Sequence, residues 1–173
     1  MNIRRATVND APKLAIVHVD SWQVAYRGIV PDSHLERFTY QRREEAFQQA
    51  LAANLEETYL IEDNDQGVGI LTIGASRDAD LDVNATGEIW GIYITPDHWR
   101  QGIGRTLVHE AERILRSRNY TEVVLWVLEE NRDARQFYEK MGFRVDGMSK
   151  IVELGKPLKA VRYKKTMDIA APD

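Results

Sequence analysis

Two glycines, Gly102 and Gly104, lie between Arg100 and Arg105 in the run Trp99-Arg100-Gln101-Gly102-Ile103-Gly104-Arg105-Thr106. Lacking side chains, they let the backbone N–H groups of a turn, and of a helix starting there, approach an anion closely. The positive end of the helix dipole adds to the attraction. This is the chemistry of a phosphate cradle built from main chain. It needs a strand before it and a helix after it. Glu88 to Ile94 reads as the strand, and Pro96, which lacks an N–H and biases its predecessor away from helix, stops it. After the loop, Ile103, Leu107, Val108, Ala111, Ile114 and Leu115 fall at the spacing of one buried helical face, with Arg, Glu and His on the other.

Many folds bind phosphate this way, and neighbouring residues narrow the choice. A P-loop closes on Gly-Lys-Ser/Thr, but Gly104 is followed by Arg105-Thr106. A dinucleotide fingerprint requires a third small residue where Leu107 stands. What remains resembles the GNAT superfamily of N-acetyltransferases, whose signature is Gln/Arg-x-x-Gly-x-Gly/Ala after a strand ending near a proline. The superfamily's second block is matched by Asn131-x-x-Ala134-x-x-x-Tyr138-x-x-x-Gly142-Phe143 at the expected distance downstream. The two blocks span roughly Gly87 to Phe143. One position departs from the pattern: Trp99 fills the slot usually held by Gln or Arg.

The resemblance implies acetyl-CoA as co-substrate. Its pantetheine arm would lie between two parting parallel strands and bond to the main chain of Ile92, Tyr93 and Ile94, and its diphosphate would sit over Arg100, Gln101, Gly102, Ile103, Gly104, Arg105 and Thr106. An amine with a pKa of about 10 must lose a proton to attack. Glu88 is the implied base, or else an ordinary strand-end carboxylate. Tyr138 is the implied acid for the departing thiolate, or else a core aromatic beside Phe137 and Met141. Asn131 would cap a helix and also touch the arm, and Lys140 or Arg135 would meet the nucleotide phosphates. The first helices wall the acceptor pocket in this family, which points to His18, Asp20, Trp22, Tyr26 and Trp90, with Glu88 and Glu153. An aromatic wall with carboxylates suits a cationic amine. Trp22 and Tyr26, four residues apart, are equally readable as core.

The implied function is direct transfer of acetyl to a primary amine of a small molecule. A protein N-terminus or lysine is the alternative acceptor, and a non-catalytic acetyl-CoA sensor the alternative of another class. With no cysteine there is no disulfide, metal–thiolate site or acyl-cysteine intermediate to consider. The four histidines show no metal-ligand spacing, so no metal is expected. A net charge of −4 speaks against a nucleic-acid partner. No apolar signal core or membrane-length run is present, so a cytoplasmic protein without a membrane partner is expected. Homodimers are common in the family, and the sequence leaves that open.

The 173 residues suit one domain, 1–173, long enough to bury a full core. A short strand around Ile3 leads to a helix capped by Asn9 or Asp10 and broken by Gly28 and Pro31. Asp32 and Thr39 cap two further helices. Thr58–Ile61 and Val68–Ala75 read as a hairpin, and the polar stretch Ser76–Ala85 as a mobile loop. Glu122–Leu128 reads as a strand covered on both faces and parallel to the one before the glycine loop. A helix follows from Asn131 to Met141, burying Ala134, Phe137, Tyr138 and Met141. Phe143–Val145 starts a strand, Ser149–Leu154 and Lys159–Met167 close the sheet as a hairpin, and Ala170–Asp173 is a frayed tail. With the resemblance, the expected fold is α/β (α+β): a mixed, mostly antiparallel sheet of about seven strands with one parallel, splayed pair, flanked by helices, the acyl-CoA N-acyltransferase fold.

Overall fold

The computed structural model describes residues 1–168; the expected tail lies outside them. Its strands are β1 (Asn2–Arg5), β2 (Glu57–Asp63), β3 (Gln66–Ala75), β4 (Thr86–Ile94), β5 (Glu122–Leu128), β6 (Arg144–Glu153) and β7 (Pro157–Thr166). The helices are α1 (Ala11–Ala25), α2 (Asp32–Leu35), α3 (Tyr40–Ala52), α4 (Ile103–Ser117) and α5 (Arg132–Lys140). The strands form one sheet in the order β1-β2-β3-β4-β5-β7-β6, in which only β4 and β5 run parallel. No described helix is long and apolar enough to cross a membrane.

Successive strand residues point to opposite faces, and both faces here are apolar. Ile61 and Leu71 pack with Leu107, Ala111 and Leu115 of α4, whereas their neighbours Leu60 and Ile70 pack with Leu14 and Val17 of α1 and Phe47 of α3. The helices α1 and α3 therefore cover one face, and α4 covers the other. The β2–β3 turn is two residues, Asn64 and Asp65, both at positive φ, the backbone that fits the twist of a tight hairpin. Thr39 caps α3 by accepting from the Arg42 N–H at 3.3 Å. Pro31, not Asp32, holds the cap position of α2. Asp10 precedes α1, but its carboxylate turns away to the guanidinium of Arg4 and the N–H of Thr7.

Three expectations are corrected. Phe143–Val145 and Ser149–Leu154 belong to one strand, β6, whose register against β7 shifts between Val145 and Ser149; Gly147 supplies a φ of 91° inside that bulge. The inner face of α5 is half-buried, since Ala134, Phe137, Tyr138 and Met141 only flank the core. The Ser76–Ala85 loop is tethered: the indole N–H of Trp126 donates to Asp78 at 3.0 Å, and Arg162 of β7 donates to Asp80 at 2.7 Å and to Asp78 at 3.2 Å. Arg162 also reaches Asp146 at 2.6 Å and is 3% exposed. A buried guanidinium thus clamps the loop and the β6 bulge onto β7.

His18 of α1 is buried among aromatic rings, with centroids 4.5 Å from Tyr93, 5.4 Å from Trp22 and 5.8 Å from Phe47. Burial, and next the charge of Arg43, push its pKa from 6.5 down to about 3. Folded His18 stays neutral where unfolded His18 takes up a proton, so stability is lost as pH falls through that interval.

Removing one partner of a buried charge cluster leaves the others unpaired, and Arg162→Met is expected to cost about 2–3 kcal/mol. Urea unfolding reads the loss, and faster tryptic cleavage after Arg77 reads release of the loop. Between pH 7 and pH 5, His18 alone lowers stability by about 2 kcal/mol. Urea titrations at both pH values should show that drop in the wild type and a much flatter response in His18→Phe.

Candidate active site

The strands β4 and β5 pair over three rungs, Thr86–Glu122, Gly87–Val123 and Glu88–Val124, and then separate. Each is held by its other neighbour. β5 pairs with β7 along its whole length, from Glu122–Thr166 to Leu128–Ala160. β4 pairs with β3 but carries one extra residue, Trp90, where the register shifts between Thr72–Gly91 and Ile73–Ile89. A bulge of this kind bends its strand and increases the twist. Past Glu88, backbone N–H and C=O groups facing the gap therefore lack a strand partner, a cost that an amide-bearing arm laid between the strands would offset.

The glycine loop opens at the end of β4. The first α4 bond runs from the Thr106 N–H to the Gly102 carbonyl, so the N–H groups of Ile103, Gly104 and Arg105 have no partner within the helix. Gly102 has φ 85°, the left-handed region, and no described atom stands within 4 Å of where a Cβ would project. Gly104 is small for a different reason. A Cβ there would stand 3.0 Å from the ring of Phe137 and 3.4 Å from Ile94, so its absence lets α5 close on the loop. Arg100, Gln101, Arg105 and Thr106 are exposed around this helix end. The departure at Trp99 has a structural use: its indole N–H donates to the Ile94 carbonyl at 2.7 Å, occupying the acceptor at the end of β4. The main-chain donors, the open space at Gly102 and the parted strands together fit a diphosphate with an extended amide arm.

Tyr138 lies half-buried on α5, 5.1 Å from Phe137 and 5.8 Å from Phe143 between centroids. Burial raises its pKa, and the neighbouring Tyr93 adds to the rise. Tyr26, at the end of α1, is raised by burial and then by Tyr93 and Tyr138. Tyr93 is itself raised by burial. Three phenols from α1, β4 and α5 thus gather where the strands part, and all stay protonated at neutral pH. Asn131 caps α5 by accepting from the Ala134 N–H at 3.3 Å.

On the α1 side of β4, Glu88 is 1% exposed. Its Oε2 accepts from the Arg77 N–H at 2.9 Å, and its Oε1 accepts from the Arg77 guanidinium at 2.6 Å. The same guanidinium lies 4.3 Å from the ring of Trp90. Next to this group is a cavity of about 150 Å³, lined by the bulge residues Trp90 and Gly91, by His18 and Tyr93, and by Arg43 and Phe47 of α3. Trp22 stacks on Phe38 at 4.3 Å and meets Tyr26 at 4.6 Å, and the pair packs beside His18 and Tyr93 without lining the cavity.

Several expected site residues lie elsewhere. Glu153 is exposed at the turn end of β6 and does not line the cavity. Asp20 accepts from the Tyr40 hydroxyl at 2.6 Å. Arg135 donates to the Tyr163 hydroxyl at 2.9 Å and to the Glu129 carbonyl, so it braces α5 rather than facing a phosphate. Lys140 is exposed on α5. Sequence reasoning missed Arg43, Arg77 and Glu56, all of which line the cavity. Only Arg43 left a signal: it falls four residues before Phe47, on the buried side of α3.

The model of the acetyltransferase (GNAT) family matches residues 20–143. The chain is 30% identical to a spermidine N(1)-acetyltransferase of Thermoplasma acidophilum, over 88% of this chain and 96% of that protein. It is 28% identical to an uncharacterised N-acetyltransferase, YuaI, of Bacillus subtilis, over 76% of this chain and 73% of that one. Among solved structures, the PaiA N-acetyltransferase of Thermoplasma acidophilum in complex with coenzyme A superposes with a TM-score of 0.73 over 96% of this chain and 98% of that one, at 22% identity. With the family model covering most of the sequence and the sheet parting beside an open helix N-terminus, this chain belongs to the GNAT family of acetyltransferases.

Proposed function

We propose that the protein transfers the acetyl group of acetyl-CoA directly to a primary amine of a small-molecule acceptor. The observation that carries this reading is the early parting of β4 and β5 beside the unpartnered N–H groups of α4, with a separate, narrow cavity on the other side of β4. A cavity of about 150 Å³ has room for a small amine. The spermidine acetyltransferase relative supports a small-molecule acceptor. The chain holds no cysteine, which favours direct transfer.

When bound, acetyl-CoA supplies an activated acetyl thioester and leaves as a thiol. The N–H groups of Ile103, Gly104 and Arg105 hold the diphosphate, and main-chain groups of Ile92 and Tyr93 orient the arm. The left-handed turn at Gly102 and the flanking Arg100, Gln101 and Thr106 complete that cradle. Glu88 receives the ammonium proton at Oε2, which accepts one bond from Arg77 and keeps a second lone pair free; a water bridges the remaining distance. Tyr138 keeps its proton at the phenolic oxygen and gives it to the departing sulfur. Tyr26, Trp22 and Trp90 screen the acceptor from bulk water.

A thiol-reagent assay with acetyl-CoA and a panel of amines tests the reading, and acetyl-CoA that binds without releasing thiol for any amine would favour a sensor role instead. Tyr138→Phe is expected to lower kcat by about 10- to 100-fold, with acetyl-CoA affinity by calorimetry within about twofold of wild type. Glu88→Gln is expected to lower kcat/KM about 100-fold at pH 7. Its rate should climb steeply toward pH 9 as the amine deprotonates in solution; a pH–rate profile matching wild type would remove Glu88 from the mechanism.

A further inference from the structure

The acceptor cavity contains a cation with no bonded counterion among the described residues. Arg43 of α3 lies with its guanidinium 5.1 Å from the Phe47 ring and 5.9 Å from Phe38. Its Nε is buried and has no hydrogen-bond partner among the described residues. Burial disfavours its charge, and at neutral pH the Glu56 carboxylate offsets this only through space. Arg77, which lines the same cavity, differs because Glu88 neutralises it across a 2.6 Å ion pair. Arg43 is thus a half-buried guanidinium that aromatic rings hold in place and no described carboxylate meets at bonding distance. Such a group gains most from an incoming anion, since charge-assisted, two-pronged bonds to a carboxylate form where water is already excluded.

The rest of the lining sets the other end of the ligand. The lining brings the β4 bulge at Trp90 and Gly91, three residues or fewer from Glu88 in the chain, together with Arg43 and Phe47 of α3. An amine placed at the bulge has Glu88 near it. Arg77 is paired with Glu88, and Arg43 shares the lining with Glu56 without bonding it, so a ligand of zero net charge leaves the cavity balanced.

We propose that the acceptor is an amino-acid-like zwitterion whose amine faces the β4 bulge and whose carboxylate is held by Arg43. This rests on the acetyltransferase reading above and distinguishes the chain from its spermidine-acetylating relative, because a fully cationic polyamine would bring its charges against Arg43.

The test uses two readouts on the intact protein. Calorimetry of the coenzyme A-saturated protein measures binding of the common L-amino acids, their amides, the corresponding decarboxylated amines and spermidine. The thiol assay with acetyl-CoA measures turnover of the same panel. At least one amino acid should bind and turn over at least tenfold better than its amide and its decarboxylated amine. Arg43→Met should erase that ratio through KM while leaving coenzyme A affinity unchanged, and Arg43→Lys should keep part of it. The proposal is overturned if amides or spermidine match or exceed every amino acid, or if the ratio survives in Arg43→Met with the fold intact by coenzyme A binding. An amino acid that binds in the Arg43-dependent way without any thiol release overturns the transferase reading and leaves the carboxylate site standing.

Discussion

Two neighbouring parallel strands in this sheet cannot stay paired, and the site follows from that. β5 is locked to β7 over its full length, while the bulge at Trp90 turns β4 along β3, so the two strands share only the rungs up to Glu88 and Val124. The opening has a cost, because main-chain groups lose their partners inside an otherwise complete sheet. The fold offsets part of it locally: α5 lays Phe137 and Tyr138 against the core beside the opening, and Trp99 takes the carbonyl at the end of β4. What is left unpaired is a slot for an extended amide chain ending at the N-terminus of α4.

The other side of β4 is organised by charge. Arg77 fixes Glu88 through both its backbone N–H and its guanidinium, and the loop bearing Arg77 is fixed in turn by Asp78 and Asp80 to Trp126 and Arg162. A buried arginine on β7 therefore sets the position of a carboxylate on β4 through the loop that leads into β4. Such a relay suits a site in which a proton acceptor must hold one orientation while the ligand comes and goes.

Features written as local patterns were legible in the sequence. Glycine spacing, a proline stop and one apolar helical stripe gave the strand, loop and α4, and the second block gave α5 with its Asn131 cap. What depends on partners distant in the chain was not. Arg77 read as one more polar residue of a loop, since nothing near it in sequence announces Glu88. β6 read as two strands because Gly147 breaks the alternation, although a bulge keeps the strand continuous. Gly104 read as a concession to the ligand, whereas Phe137, far along the chain, accounts for it through packing. Glu153, to which the family resemblance pointed, stands exposed at the hairpin's end.

Four buried side-chain polar atoms lack a partner among the described residues: His18 Nδ1, Trp22 Nε1, Arg43 Nε and Arg116 Nε. Three of them belong to α1 and α3 and are linked through contacts among His18, Trp22, Phe38 and Phe47. An unmet buried donor destabilises a folded chain, so its concentration on one face marks a place where stability has been given up for something else. His18 fits the same pattern. Held neutral by its aromatic surroundings and by the charge of Arg43, it adds no second cation to the α1 and α3 side of the cavity, which leaves Arg43 as the one charge there without a bonded counterpart in the described structure. The face that the sequence suggested as a wall for a cation is, in its unpaired groups, a face that lacks an anion.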